Sequence, residues 1–483
     1  MRLGTTAAPL LAAALALVGV AMPTVSALPA AADSTVACKV DYAVNDWGSG
    51  FTASVTIGNL GGSPLSGWQL TYTYAGNQTL QQGWNGTWSQ SGRMVTVANL
   101  SWNATVPPSG SVTAGANFSY SGSNAKPTDF AVNGSPCDGT TPPPPPPPPG
   151  GPAPALRVSG NHFVDADGKT VTLHGVNRSG AEFACVQGNG IFDGPVDAAS
   201  VAAIKSWHVN AVRVPLNEDC WLALSDVKPP YAGATYQSAI KDYVNLLHQN
   251  GLVAILDLHW THGQYTGNSA GCSDVNATCQ KPMPDAQYAP TFWSQVAAAF
   301  KGDDSTVFDL FNEPYPDRAT ANGWTCLRDG GTCAGIPYQV AGTQSLVTAV
   351  RSAGADNVIM LGGLAYTNDL SQWLAYEPTD PLHNLAASWH SYNFNTCSSS
   401  SCWDNQIAPV AAKVPLVAGE IGENDCGHSY VDGLMSWLDQ HAASYLAWTW
   451  NTWDCSSGPA LITAYDGTPT AFGAGIRAHF ASF

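Results

Sequence analysis

Cationic residues are scarce in this sequence. Lys and Arg number 18 against 35 Asp and Glu, charged residues make up 11% of the 483 positions, and the net charge is −17. Such a chain is repelled by nucleic acid and by anionic membrane surfaces, so neither is an expected partner. A neutral polymer is the more natural one. Past the N-terminal segment there is no apolar run of the roughly 20 residues that a membrane-spanning helix needs. No Gly-x-Gly-x-x-Gly opens a helix, so nucleotide binding has no support. No Cys-x-x-Cys and no His cluster at ligand spacing occurs, which argues against zinc, and no metal or organic cofactor is implied.

What is present divides the chain. Arg2, the apolar run Leu10 to Val20 and small residues ending at Ala27 or Ala32 read as a secretory signal over residues 1–32. Export is therefore expected. The even count of 12 cysteines suits disulfides in an oxidising compartment. Cys38 with Cys137, Cys272 with Cys279, Cys326 with Cys333 and Cys397 with Cys402 are the first candidate pairs. Cys185 with Cys220 and Cys426 with Cys455 remain. The eight prolines Pro142 to Pro149 must extend as polyproline II, a semi-rigid spacer of about 25 Å. They sit in a linker, residues 138–155, between two domains.

Residues 33–137 alternate with period two in Phe51–Ile57, Gly67–Tyr74, Met94–Val97 and Val112–Tyr120, with Gly, Asn, Ser and Pro between. An all-β sandwich is expected there. Residues 156–483 alternate short apolar runs with helical patterns. The candidate strands are Val171–Asn177, Ala211–Leu216, Val253–Leu258, Val307–Phe311, Val358–Leu361, Ala386–Trp389, Leu416–Gly419 and Leu446–Trp450. Helices are expected at Tyr236–Gln249, Ala286–Phe300, Tyr338–Ser352 and Val431–His441. Eight β-then-α units predict an α/β fold, the (β/α)8 TIM barrel, with its active site at the C-terminal ends of the strands.

Glutamate is sparse: Glu182, Glu218, Glu313, Glu377, Glu420 and Glu423 are all there are. Glu313 and Glu420 directly follow apolar strands, the fourth and the seventh. Two carboxyl groups at one rim suit glycoside hydrolysis, in which one protonates the leaving oxygen and the other attacks the anomeric carbon. Glu182, near the rim of the first strand, and Glu423, in a loop, are the competing carboxylates.

With Asn312-Glu313-Pro314 after an apolar strand, the second domain resembles a family 5 glycoside hydrolase of the cellulase type. The resemblance implies Glu313 as acid/base and Glu420 as nucleophile. It implies that Arg213 holds the nucleophile ionised and that Asn312 bonds the sugar 2-hydroxyl. His390 and Tyr392 would position the two carboxylates, His259 would line the sugar site, and Trp450 would be its stacking floor. Trp260, Trp389 and Trp448 stay unassigned. Where the family has Gly-x-Asn before the arginine strand, this chain has His208-Val209-Asn210.

The first domain, through Asn45-Asp-Trp47-Gly-Ser-Gly-Phe51, Gly67-Trp68, Gln82-Gly-Trp84-Asn85 and Asn99-Leu-Ser-Trp102-Asn103, resembles a family 2 carbohydrate-binding module of the cellulose-surface type. That resemblance implies an exposed strip of Trp47, Trp84 and Trp102, with Trp68 in the core and Trp88 in either place. The expected activity is a retaining endo-β-1,4-glucanase, acting as a monomer on cellulose or a related β-glucan. A β-mannanase, a xyloglucanase or an exo-β-glucosidase uses the same fold. A non-catalytic polysaccharide-binding protein is the reading from another class.

Overall fold

The computed structural model describes residues 38–60, 64–108, 110–133, 135–137, 152–265, 274–456 and 458–483. The expected signal, the proline run and Cys272 lie outside them. The chain divides into two compact units between Pro142 and Pro143.

In the first unit, Cys38–Asp46, Gly50–Asn59, Ser111–Ser119 and Thr79–Trp84 form one antiparallel sheet. A second sheet runs Ser135–Pro136, Ala131–Val132, Gln69–Thr73, Met94–Ala98 and Thr87–Ser91. Alternation sets Phe51, Val55, Ile57 and Phe118 of the first sheet against Leu70, Tyr72, Val95 and Val97 of the second in one core. Trp68 is in that core, and its indole N–H donates to the Asn103 carbonyl at 2.8 Å. A disulfide joins Cys38 to Cys137, 99 residues apart in sequence.

Three indoles stay outside the sandwich core. Trp47, Trp84 and Trp102 are 57%, 41% and 68% exposed. Glycine makes room for two of them. A Cβ at Gly50 would stand 2.9 Å from the Trp47 ring, and one at Gly115 would stand 2.5 Å from that of Trp84. Each ring can therefore lie against the sheet with its other face bare. Trp88 is half-buried, edge-on to Phe118, and its N–H donates to the Trp84 carbonyl.

The second unit is a closed parallel barrel of eight strands. They are β1 (His174–Asn177), β2 (Ala211–Asn217), β3 (Val253–Trp260), β4 (Thr306–Asp309), β5 (Ile359–Leu361), β6 (Leu385–Tyr392), β7 (Leu416–Gly422) and β8 (Ser444–Ala447). Inward residues Ala211, Val253, Ile255, Val307, Met360, Ala386, Val417 and Leu446 fill the lower barrel with Leu156 and Phe163. Phe163 comes from a small sheet of Arg157–Ser159, His162–Val164 and Thr170–Val171. Outward residues such as Val212, Val214, Ala254, Leu256 and Phe308 pack on the helices. Helices Ala234–Gln249, Ala289–Phe300, Thr343–Ser352 and Ser429–Gln440 occupy the expected segments.

Two expected elements are divided. Thr170–Val171 pairs with the small sheet, so β1 starts only at His174. The helix expected from Tyr338 starts at Thr343, because Gln339–Ala341 pairs with Gly330–Thr332. His208 takes the left-handed conformation, φ 63°, at the position where glycine was expected. Asn210 then ties β1 in place, accepting from the His174 N–H and donating to the Thr172 carbonyl, both at 2.8 Å. Disulfides join Cys326–Cys333 and Cys397–Cys402, the close pairs, and Cys185–Cys220 and Cys426–Cys455, the pairs that remained. No helix among the described residues is long and apolar enough to cross a membrane.

Candidate active site

Strand alternation carries polar side chains to the upper rim. On β3, Val253 and Ile255 face the barrel interior, and two-residue steps put Asp257 and His259 above them. On β2 the same step leads from Ala211 to Arg213, and on β4 from Val307 to Asp309. On β7 the step fails, and usefully so. Trp389 pairs with Ala418 while the next β6 residue, His390, pairs with Glu420, so Gly419 is an extra residue. This β-bulge turns Glu420 inward, where strict alternation from Val417 would have aimed it at the helices. Glu313 lies just past β4 with φ 49°, a strained conformation for a residue with a Cβ.

Arg213, fully buried, organises the floor. Its Nη1 donates to Glu420 Oε1 at 2.8 Å and to Asn177 Oδ1 at 3.1 Å. Its Nη2 donates to Asn312 Oδ1 at 2.9 Å and lies 3.0 Å from Asp257 Oδ1, and its Nε donates to Asp309 Oδ2 at 3.0 Å. One guanidinium thus faces three carboxylates. Burial raises Asp257 and Asp309 against the pull of Arg213. Burial alone would lower Arg213, but those carboxylates outweigh it and keep the guanidinium charged. Glu420 also accepts a 2.6 Å hydrogen bond from the Tyr392 hydroxyl, which burial and the carboxylate's charge keep protonated.

Glu313 has a different environment. Its side chain keeps 25% of its surface open to the cavity, yet the surrounding protein excludes enough water to push its carboxyl up to about 7. His390 Nδ1 stands 3.1 Å from Glu313 Oε1 and 3.6 Å from Glu420 Oε2. Burial pushes His390 down to about 3 and His259 down to about 4, so both imidazoles are neutral. His259 Nδ1 is 2.6 Å from Asp257 Oδ2, and its Nε2 is 3.4 Å from Asn312 Nδ2. Asn312 also donates to Gln280 Oε1 at 3.0 Å.

One oxygen of each glutamate and a ring nitrogen of His390 all lie within 4.8 Å of one another. That spacing would admit an ion, but Arg213 already bonds Glu420 Oε1 and the Tyr392 hydroxyl its Oε2. In the other such grouping among the described residues, Cys426 and Cys455 are spent on a disulfide.

A cavity of about 510 Å³ opens onto both glutamates, with His259, Asn312, Tyr366, Tyr392, Phe394, Trp448 and Trp453 on its walls. Trp450 is not among them. Its ring is wholly buried against Trp207 at 4.9 Å, so it cannot floor a sugar site, and that expectation is corrected. β8 ends at Ala447; Trp448, two residues past the inward Leu446, faces the cavity instead, stacked on His259 at 5.5 Å. The competing carboxylates are structural. Glu182 is buried and accepts from the Gly180 N–H. Glu423 accepts from the Val431 N–H at the start of helix Ser429–Gln440. Asp257, Asp309, Asn177, Gln280 and Tyr366 carry no assigned role in the sequence reading. Asp257 and Asp309 had a signal: each is a charge on the inward face of an apolar strand.

Residues 164–454 match the family described as Cellulase (glycosyl hydrolase family 5). The chain belongs to glycosyl hydrolase family 5. This family 5 enzyme also carries, over residues 38–137, a match to the Cellulose binding domain. It is 28% identical over 456 residues to Endoglucanase CelA of Streptomyces lividans, covering 89% of this chain and 87% of that one. It is 23% identical over 312 residues to a mannan endo-1,4-beta-mannosidase of Salipaludibacillus agaradhaerens, covering 61% and 80%. The fold is that of a beta-glucanase from Saccharophagus degradans, with TM-score 0.51 and 20% identity over 68% of this chain and 94% of that one. The protein is thus a glycoside hydrolase of the cellulase type, with a cellulose-binding module.

Proposed function

We propose that the protein is a secreted, retaining endo-β-1,4-glucanase that its module holds on cellulose. One observation carries the mechanism: two glutamates whose oxygens approach within 4.8 Å sit in opposite electrostatic settings. Retaining enzymes keep their carboxyl groups about 5–5.5 Å apart, and inverting ones about 6.5–9.5 Å. Glu420 accepts from Arg213 and from the Tyr392 hydroxyl, a charge-assisted setting that suits the nucleophile. Glu313, raised to about 7, is held as the acid.

In the first step Glu420 attacks the anomeric carbon as the glycosidic C–O bond breaks, and the Glu313 proton passes to the departing oxygen. In the second, Glu313 takes a proton from water, whose oxygen displaces Glu420 from that carbon. Asn312, held by Arg213 and Gln280, is placed to bond the sugar 2-hydroxyl. Neutral His390 orients Glu313, and the Tyr392 hydroxyl orients Glu420. Trp448 takes the stacking role. Trp47, Trp84 and Trp102 offer bare indole faces to pyranose rings on the polymer. Secretion rests on the N-terminal sequence and agrees with the disulfides.

The test is product release from carboxymethylcellulose, β-mannan and xyloglucan by the purified protein. Rapid viscosity loss on the cellulose derivative is expected. Glu420→Gln abolishes it, whereas Glu313→Gln keeps activity only on substrates whose leaving group departs without a proton. Activity confined to mannan would leave the mechanism and move the substrate to that of the mannosidase relative. Full activity in Glu420→Gln would overturn the nucleophile assignment.

A further inference from the structure

The turn after β5 is strained. Ala365, Tyr366 and Thr367 have φ of 52°, 61° and 60°, three consecutive left-handed residues, each with a Cβ. Such a run persists only where its surroundings hold it. Here the holder is the loop bearing Glu313. The Tyr366 N–H donates to the carbonyl of Pro314, the residue after Glu313, at 3.0 Å. The Ala365 N–H donates to Asp317 Oδ1 at 3.1 Å. The Tyr366 ring stacks on Tyr315, with centroids 4.7 Å apart and planes at 26°, and the Arg318 guanidinium sits over the ring at 4.8 Å. The ring is thus packed against two residues of the Glu313 loop.

So packed, Tyr366 lines the cavity together with Glu313, and its hydroxyl is the polar group that it can offer there. Burial, outweighing the pull of Arg318, keeps the phenol protonated and able to donate. The site therefore has a rigid hydrogen-bond donor on the same loop assembly as the acid.

We propose that Tyr366 is a positioning residue for departure of a sugar leaving group: clamped to the Glu313 loop, it offers its hydroxyl to the first sugar on the leaving-group side and so favours oligosaccharide over other leaving groups. This rests on the assignment of Glu313 as the acid.

The test compares Tyr366→Phe with the wild type in the full-length protein, on two substrates. Cellotetraose places a sugar on the leaving-group side and needs the acid. Dinitrophenyl β-cellobioside has neither requirement. Tyr366→Phe keeps the ring against Tyr315 and Arg318, so the turn is preserved. The ratio of kcat/KM on cellotetraose to that on the aryl substrate is expected to fall about tenfold, the size of one lost hydrogen bond. A ratio within roughly threefold of wild type overturns the proposal, whether both rates fall together, as a purely structural role would have it, or neither does. Glu313→Gln run alongside separates the two readings. If it hydrolyses cellotetraose at the wild-type rate, the acid assignment fails on its own account, whatever the Tyr366 ratio.

Discussion

In the proposed mechanism Glu313 and Glu420, the same residue type, take opposite tasks, and their neighbours differ accordingly. Glu420 has a guanidinium at 2.8 Å and a phenol at 2.6 Å. The imidazole at 3.1 Å from Glu313 is neutral and supplies no charge, so burial prevails there. The rate must therefore fall as pH rises through Glu313's value, because the deprotonated form cannot protonate the leaving oxygen. The expected alkaline limb of kcat/KM on cellotetraose lies near pH 7. A pH–rate profile checks this, and a limb unmoved in Glu313→Gln would assign it to another group. The pair stood out in the sequence because glutamate is so sparse and both residues follow apolar strands, whereas the division of roles came from the family resemblance. The partners were less legible. Asp257 and Asp309 reach Arg213 because β3 pairs with both β2 and β4. Trp450 was placed at the site by the resemblance, and the chain past Ala447 buries it against Trp207.

At the scale of elements, short apolar runs between helical patterns located all eight barrel strands, because interior and helix-facing positions are both apolar yet bounded by turns. They did not reveal the Gly419 bulge, which turns Glu420 toward the cavity. In the first unit, period-two patterning found four strands, but not Cys38–Asp46, Thr79–Trp84 or Thr87–Ser91, nor that Gly50 and Gly115 make space for indoles. Those flat rings are where adsorption is expected to reside. Trp47→Ala combined with Trp84→Ala should lower partition of the protein onto crystalline cellulose by roughly tenfold or more, since each stacked aromatic contributes on the order of 1 kcal/mol. Depletion from solution measures it, and unchanged adsorption would remove both residues from the binding surface.

Over the whole molecule, buried carboxyls tie stability to pH. Glu182 is pushed up to about 8 and Glu313 to about 7, mainly by burial. Each binds a proton in the folded state that it would lose on unfolding above its ordinary value, so stability is lost as pH rises through the folded values. The buried His174, His259 and His390, held near 3 to 4, act in the opposite sense, but only below their ordinary value of about 6.5. From pH 6.5 to 8 the carboxyls prevail, and Tm is expected to fall. In Glu182→Gln, which has no proton to lose, calorimetry should find a shallower slope; an equal slope would assign the effect elsewhere. The Cys38–Cys137 disulfide has a mechanical consequence for this polymer-degrading protein. It joins the beginning and end of the binding module with Cα atoms 4.9 Å apart. Tension applied at Cys137 is shared through sulfur with Cys38, so it enters both sheets of the sandwich at once. The two ends of the 99-residue span between them cannot be drawn apart. A module gripping a fibre is then tugged at both ends of its chain together rather than by its C-terminal end alone.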